Sequence, residues 1–290
     1  RTTAPWNRRM RRLANQGCKR PILVTGSPRS GTTWVGRMIA ASPGVAYIHE
    51  PFSLHHRPGI CGATFERWFT YISRENESAY YQHVRNTLRF SYNLAGEARA
   101  VRSRQDALRL LRDCYHFTRY RLDGARPLVK DPIAVFSAEW LASTFDMDVV
   151  VLVRHPAAVV RSVNRLGWGG SLSPLLEQPL LLKDHLRPLE ARLRESESKN
   201  PDEIERVSLQ WCAIYHVVRT YKRRHPDWIV IRHEDLSRDP LGGFQELFCR
   251  LDLEFSQNIR QVVEEHSQSS NPVEVPAGDW SLKRHSRSAI

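Results

Sequence analysis

The sequence lacks several features that would assign a class of protein at once. None of its apolar runs reaches the roughly 20 residues that cross a bilayer. Its five cysteines lie far apart and form no C-x-x-C pair, so they support neither a zinc site nor a disulfide framework. They favour reduced, buried thiols in a reducing compartment, although one disulfide would still fit. Hydrophobic residues make up 41% of the 290-residue chain, which is ordinary for a globular protein.

Acidic residues are few relative to basic ones. The chain has 31 Asp and Glu against 43 Lys and Arg, a formal net charge of +12. This excess predicts a polyanionic ligand, such as a nucleotide, a nucleic acid, a sulfated or phosphorylated acceptor or an anionic membrane surface. Residues 1–20 contain seven of the basic residues and little apolar periodicity. They indicate a solvated basic extension rather than a nucleic-acid-binding arm.

Short apolar runs alternate with segments of helical periodicity over residues 21–290. The runs are residues 22–24, 45–48, 127–129, 148–153 and 228–231. Such alternation predicts one α/β domain of three layers, with a central parallel sheet flanked by helices. Residues 64–120 are predicted to form helices, beginning with 65–72, that wall an acceptor pocket. Residues 166–201, rich in Gly, Pro and Leu, are predicted to form a mobile insertion or lid whose leucines pack beneath it or contact a lipid-like acceptor.

The first apolar run leads into a glycine-bracketed loop. Gly26 and Gly31 enclose the loop, and a helical pattern begins at Thr32. This order predicts a phosphate cradle, in which loop amides and a helix N-terminus face an anion. The loop nearly fits the P-loop pattern but has Thr32 where that pattern has Lys, and Arg29 is the nearest cation. A purely structural turn is the alternative interpretation.

Charged residues follow three of the other predicted strands, at Glu50, Lys130 and Arg154. Strand exits in a parallel sheet face the ligand crevice. A kinase or ATPase needs an acid at such a strand end to hold Mg²⁺, and here the longest apolar run is followed by Arg154. Ser162 lies two helical turns beyond Arg154, so both could bind one phosphate. A nucleotide that carries phosphates at both ends, held without a metal, fits this pattern.

Three segments together resemble the sulfotransferase family, which uses 3′-phosphoadenosine-5′-phosphosulfate (PAPS). Residues 28–34, Pro-Arg-Ser-Gly-Thr-Thr-Trp, resemble its 5′-phosphosulfate loop. Residues 154–162 fit its R-x-P-x-x-V-x-x-S motif for the 3′-phosphate, and residues 232–236 are similar to its Tyr-Glu-Asp-Leu segment. The resemblance spans residues 21 to about 272. It implies a P-loop-like fold and transfer of a sulfuryl group from PAPS to an acceptor hydroxyl or amine.

The resemblance also implies which residues bind the nucleotide. Arg29 takes the usual Lys position, beside the oxygen that bridges sulfur and phosphorus, where a guanidinium can bind two oxygens at once. Trp34 matches the residue that stacks on adenine, and a place in the core is the alternative. Residues 283–287 resemble the start of a basic C-terminal loop over the 3′-phosphate, with residues 278–280 as the alternative register. The implied set is Arg29, Ser30, Gly31, Thr32, Thr33, Trp34, Arg154, Ser162 and Arg284.

The choice of a general base depends on a position at which this sequence differs from the cytosolic members of the family. Cytosolic members use a His just after a strand-end Lys, whereas Lys130 is followed by Asp131. Golgi-type and several bacterial members use a Glu at the exit of the second strand, which residues 47–51 resemble. We therefore expect Glu50 to be the base, Lys130 and Arg29 to stabilise the transferring group, and His49 to be a lesser candidate for the base. Salt bridges, of Glu50 to an Arg or of Lys130 to Asp131, are the structural alternatives.

The acceptor is expected to be a hydroxyl on a carbohydrate, a glycolipid or a secondary metabolite, with neither a nucleic-acid partner nor a membrane span. A bacterial-like cytoplasmic location is expected, and the Golgi lumen is the alternative if an anchor precedes Arg1. The pattern does not indicate an oligomeric state. Two rival functions are a P-loop kinase or NTPase and a basic polyanion-binding module without catalysis.

Overall fold

A five-stranded parallel sheet organises the fold. The computed structural model describes residues 19–166, 168, 171–199 and 202–267. Within them the sheet has the order β2-β3-β1-β4-β5, and every neighbouring pair is parallel. The strands are β1 Ile22–Gly26, β2 Val45–His49, β3 Arg126–Lys130, β4 Asp148–Val153 and β5 Ile229–Arg232. The predicted α/β fold with a central parallel sheet is confirmed.

Both faces of the sheet are buried. Along β4, Val149 and Val151 lie in one hydrophobic core, while Val150 and Leu152 lie in a second core on the opposite face. All five residues of β1 are buried as well. Because neither face meets water, the strands read as continuous apolar runs and not as an alternation of apolar and polar residues.

Helices cover both faces. In chain order they are α1 Thr32–Ala40, α2 Tyr81–Leu88, α3 Leu94–Ala100, α4 Arg104–Leu122, α5 Ala138–Phe145, α6 Pro156–Asn164, α7 Ser173–Leu176, α8 Pro179–Leu181, α9 Arg187–Ser198, α10 Glu203–Arg224, α11 His233–Arg238, α12 Pro240–Arg250 and α13 Gln257–His266. The helices α1, α12 and α13 pack on one face, and α5, α9 and α10 pack on the other. In the part of the chain that is described, no helix combines the length and the apolarity that a bilayer crossing needs.

The predicted helix at residues 65–72 is wrong. The segment is irregular although its apolar side chains are buried. Its amides bond to side chains of other elements: Tyr71 N donates to Gln178 Oε1 at 2.7 Å, and Ile72 N donates to Ser137 Oγ at 3.0 Å. These tertiary partners replace the i−4 carbonyls of a helix, so apolar spacing alone was misleading.

The Leu-rich stretch folds as helices. Residues 173–198 form α7, α8, a π-helical turn at Leu182–Leu186 and α9. Six leucines of residues 172–193 are buried in the core on this side of the sheet: Leu172, Leu175, Leu181, Leu182, Leu186 and Leu193. They pack beneath the segment, as one of the two interpretations predicts, and the opening of a lid stays a prediction.

The thiols are less buried than expected. Of the four cysteines that the structure describes, all are free thiols and only Cys61 is buried. Cys212 and Cys249 are exposed, so the prediction of buried thiols is wrong for these two. Each lies beside, and not within, the buried row of its amphipathic helix.

The carboxylate of Asp131 fixes the exits of β2 and β3. This side chain is fully buried and accepts hydrogen bonds from the amides of Phe52 at 2.7 Å, Ile133 at 2.9 Å and Ala134 at 3.3 Å. Burial and the neighbouring Glu50 carboxylate raise the pKa of Asp131 to about 7 against the effect of these donors. Asp131 thereby holds the segment after β2 against the turn after β3.

The substitution Asp131→Ala should lower the free energy of unfolding by about 3 kcal/mol, because three buried amides lose their acceptor. Urea denaturation measures the change. Asp123→Ala is the matched control, since the Asp123 side chain is 60% exposed, and it should change stability by no more than about 0.5 kcal/mol. Equal losses in the two variants would contradict the role given to Asp131.

Candidate functional site

The loop between β1 and α1 has the backbone shape of an anion cradle. Arg29 has φ 66° and Gly31 has φ 99°, so two of its residues are left-handed. Ser30 closes the turn, since its amide and its Oγ both donate to Ser27 O, at 3.1 and 2.7 Å. No described side chain caps α1, which begins at Thr32. The first amides of that helix therefore lack intrahelical partners and can bind an anion.

The start of α11 lies directly against this loop. A Cβ added at Gly31 would lie 2.7 Å from His233 Nδ1, which is too close for any other residue without a shift. His233 is buried and meets the ring of Trp34 edge-on, with the centroids 5.7 Å apart. The segment from 232 to 236 thus lies beside the cradle, and His233 lies where the resemblance placed a Tyr.

The second phosphate motif touches the cradle. Arg29 Nε donates to Ser162 Oγ at 2.9 Å, and Arg154 Nη1 donates to the Arg29 carbonyl at 3.0 Å. Arg154 follows β4 and Ser162 lies on α6. Because β4 pairs directly with β1, residues 125 or more positions apart meet at the carboxyl ends of these two strands.

The contact between Arg29 and Arg154 brings two positive charges close together. Burial and the nearby Arg29 guanidinium lower the pKa of Arg154, and Glu234 opposes that shift. Glu234 accepts a hydrogen bond from His155 N at 2.8 Å. A bound anion would relieve the repulsion between the two guanidinium groups.

Helix α10 supports the cradle through two aromatic side chains one turn apart. The Tyr215 hydroxyl accepts from Ser27 N at 3.2 Å and donates to Leu152 O at 2.7 Å. Trp211 Nε1 donates to Arg154 O at 3.0 Å. Neither Tyr215 nor Trp211 is among the site residues predicted from the sequence. The four-residue spacing of Trp211 and Tyr215 is visible in the sequence, but the hydrogen-bond partners of their polar atoms are not.

The second charged centre lies at the exits of β2 and β3. The fully buried Lys130 Nζ donates to Glu50 Oε1, and Glu50 N donates to Lys130 O at 2.9 Å. The stem of Lys130 passes Gly36 of α1, where an added Cβ would lie 3.0 Å from Lys130 Cγ. Lys130 therefore pairs with Glu50, whereas the Asp131 carboxylate is held by backbone amides.

Burial and pairing set the protonation of this centre. Burial raises the pKa of Glu50, but the Lys130 ammonium and its hydrogen bond outweigh burial and hold that pKa below its usual value. Burial also lowers the pKa of Lys130, against the effect of Glu50. Burial and Lys130 lower the pKa of His49 to about 4. At neutral pH Glu50 is a carboxylate and His49 is a neutral imidazole of low basicity.

The remaining predicted residues are placed as follows. Trp34 is 4% exposed and packs edge-on against Phe244, 5.2 Å away, so it lies in the core. Its contact with adenine stays a prediction. Thr32 is buried and Thr33 half-buried in the first turn of α1. Arg284 and both registers of the C-terminal loop lie outside the described residues.

The sheet brings the two centres to either side of the cradle. Val24 of β1 is in register with Lys130 on one side and with Val150 of β4 on the other. Along the carboxyl ends of the strands the order is therefore Glu50, Lys130, the Arg29 loop and Arg154. The ion pair of Lys130 with Glu50 therefore lies on one side of the cradle and Arg154 on the other, at the carboxyl ends of the strands, where open parallel sheets bind ligands.

Comparisons with known proteins identify one family. A family model described as Sulfotransferase family matches residues 21–257, and a search of the curated proteins finds no match. Solved structures that resemble the chain include a sulfotransferase from Mycobacterium tuberculosis H37Rv, with 18% identity, a TM-score of 0.40, and coverage of 90% of this chain and 74% of that one. A sulfotransferase from Mycobacterium avium has 14% identity and a TM-score of 0.44, with 93% and 74% covered. The sulfotransferase domain of the Synechococcus PCC 7002 olefin synthase has 16% identity and a TM-score of 0.41, with 84% and 78% covered.

Because these identities and TM-scores are low, the assignment of the chain to a family depends only on the match to the family model. That match extends over well more than half of the 290 residues and includes the cradle, both charged centres and the Arg154–Ser162 motif. The chain belongs to the sulfotransferase family.

Proposed function

We propose that this protein transfers a sulfuryl group from PAPS to the hydroxyl of an acceptor. The observation that supports this most strongly is the contact between the cradle and the second motif, through Arg29, Arg154 and Ser162. Two anion-binding groups that touch each other can share one small molecule. PAPS has the required chemistry, because it carries phosphate on both the 5′ and the 3′ side of one ribose.

The residues present fit this donor. Loop amides at residues 31–33, at the N-terminus of α1, would hold the 5′-phosphate. The predicted contact of Ser30 would require its amide to exchange its bond to Ser27 O for one to the phosphate. Arg154 and Ser162 would hold the 3′-phosphate. The donor supplies an activated sulfuryl group, and its departure leaves negative charge on the bridging oxygen. Arg29, now bonded to Ser162, is the cation of the loop that would stabilise that charge.

Glu50 is proposed to accept the proton of the acceptor hydroxyl. Its lowered pKa keeps it ionised at neutral pH, and it is partly open, with 28% of its side chain exposed, whereas Lys130 is fully buried. Once Glu50 is protonated, its attraction for Lys130 weakens. The buried ammonium would then act on the sulfuryl oxygens through its positive charge, so proton uptake and charge stabilisation would be coupled. A loose, in-line transition state leaves most of the rate to such positioning and charge.

The acceptor is proposed to be a carbohydrate, a glycolipid or a secondary metabolite. The support is the identity of the base: a Glu at the exit of β2, in place of a His after Lys130, is the arrangement of Golgi-type and several bacterial relatives. The cytoplasmic location and its Golgi alternative stay predictions of the sequence.

The rival enzyme, a P-loop kinase or NTPase, is less well supported. It needs a Lys at position 32 and an acid after β4, whereas Thr32 and Arg154 occupy these places. Mg²⁺-dependent ATP hydrolysis by the purified protein would favour that rival. Salt-sensitive polyanion binding without transfer of label from [³⁵S]PAPS would favour the non-catalytic module.

The substitution Glu50→Gln should lower kcat by about 100-fold or more, because it removes the proton acceptor while keeping the shape of the side chain. Transfer from [³⁵S]PAPS to a panel of monosaccharide, glycolipid and phenolic acceptors measures the rate. Affinity for adenosine 3′,5′-bisphosphate, measured by calorimetry, should change by no more than about threefold. The exposed Glu66 is the control, as Glu66→Gln should change neither quantity.

Two results would contradict this role of Glu50. If Glu50→Gln abolishes nucleotide binding, the pair of Glu50 with Lys130 is structural. If kcat is retained, another group accepts the proton, with His49 the nearest candidate in the chain.

The substitution Arg154→Ala should remove the preference for a 3′-phosphate. In the unchanged protein, adenosine 3′,5′-bisphosphate should bind more tightly than adenosine 5′-monophosphate by at least about 1.5 kcal/mol, the scale of a charge-assisted hydrogen bond. In Arg154→Ala this difference should nearly vanish, while the monophosphate binds as before. Arg161→Ala, at an exposed position on α6, should preserve the difference. An equal loss for both nucleotides would show that Arg154 supports the loop and does not bind the 3′-phosphate.

A further inference from the structure

Helix α4 exposes an unusual amount of apolar surface. Of its 19 residues only Leu110 and Phe117 are buried. Large apolar side chains exposed singly are common on proteins and need no explanation. Here four lie on one helix: Leu108, Leu111, Tyr115 and Leu122 are 67%, 64%, 59% and 81% exposed.

These side chains form a stripe with three arginines. Spacings of three, four and seven residues place Leu108, Leu111, Tyr115 and Leu122 on one side of the helix. Arg104, Arg112 and Arg119 fall on the same side by the same period and are exposed. Arg112 also pairs with Asp113 at 3.0 Å, and Arg119 with Asp123 at 3.4 Å, but such exposed pairs are weak and leave both guanidinium groups accessible. We call these seven residues the α4 face. Arg119 Nη1 lies 3.5 Å from the Tyr115 hydroxyl, which shows that apolar and basic groups are intermixed and not segregated.

Charge argues against two candidate occupants of the α4 face. In a symmetric contact between two copies, the arginines of one copy would face those of the other, and the neighbouring Asp113 and Asp123 would offset only part of that repulsion. Residues 1–18 carry five arginines and no acid, so they would be repelled as well. A nucleic acid would match the arginines, but it would leave the four apolar side chains in water.

A membrane surface matches both kinds of residue. The stripe from Arg104 to Leu122 is about 27 Å long at 1.5 Å per residue, and most of the helix surface is exposed. At a bilayer the apolar side chains can enter the boundary between headgroups and acyl chains, while the arginines bind lipid phosphates. We propose that the α4 face docks this protein on a bilayer that contains anionic lipids. The proposal does not depend on the proposed sulfuryl transfer.

The test is cosedimentation of the full chain with vesicles. Vesicles of phosphatidylcholine with one quarter phosphatidylglycerol should bind the protein, and vesicles of phosphatidylcholine alone should bind it at least tenfold less. The double substitution Leu108→Ser with Leu111→Ser should lower binding to the anionic vesicles by at least about tenfold, because two leucines no longer enter the boundary. Ile204→Ser on α10 is the control, since Ile204 is 55% exposed outside the face and its loss should leave binding unchanged.

A second variant keeps the test valid if the leucine variant misfolds, which its circular dichroism and melting curve would show. Arg112→Gln with Arg119→Gln should also lower binding by at least about tenfold and reduce its dependence on salt. The proposal is overturned if the unchanged protein does not bind anionic vesicles, or if both double variants bind as the Ile204→Ser control does. It is also overturned if light scattering shows a dimer that the leucine variant dissociates, which would assign the face to a second copy. Binding of heparin and vesicles that depends on the arginines but not on the leucines would assign it to polyanions instead.

Discussion

The meeting of Arg29 with Arg154 and Ser162 is the interaction on which the site depends. Two guanidinium groups converge there, and burial together with their mutual repulsion lowers the pKa of Arg154. Partly buried groups of like charge cost free energy when no anion is bound to them. A bound anion would offset that cost, which is the physical reason to read the cluster as a binding site. Tyr215 and Trp211 hold the backbone of this cluster in place through hydrogen bonds to Ser27 and Arg154.

Sheet topology couples this anion site to the acid–base pair. The central strand β1 delivers the cradle, β3 delivers Lys130 on one side, and β4 delivers Arg154 on the other. β2 adds Glu50 beside Lys130, and the buried carboxylate of Asp131 fixes these two exits. A donor clamped between the two motifs would therefore have its reactive end near the cradle, on the side where Glu50 and Lys130 lie. In this account catalysis consists mainly of alignment and electrostatic stabilisation.

Much of this arrangement could be predicted from the sequence, because parallel strands and a glycine-bracketed loop leave strong local signals. The run 148–153 coincides with β4, and α1 begins at Thr32 as predicted. The failures have a common physical cause, which is that tertiary partners are not visible in local patterns. Residues 65–72 show helical spacing, yet their amides bond to Gln178 and Ser137. The pairing of Lys130 with Glu50, and the hydroxyl contacts of Tyr215, likewise depend on residues more than 60 positions away.

The most direct test of the central claim is a crystal structure of the protein with adenosine 3′,5′-bisphosphate. A single molecule is expected, with its 5′-phosphate on the amides of residues 31–33. Its 3′-phosphate should lie within hydrogen-bonding distance of Arg154 and Ser162, with Arg29 turned from Ser162 towards the ligand. A nucleotide that engages only one of the two motifs, or that binds elsewhere on the protein, would contradict the account.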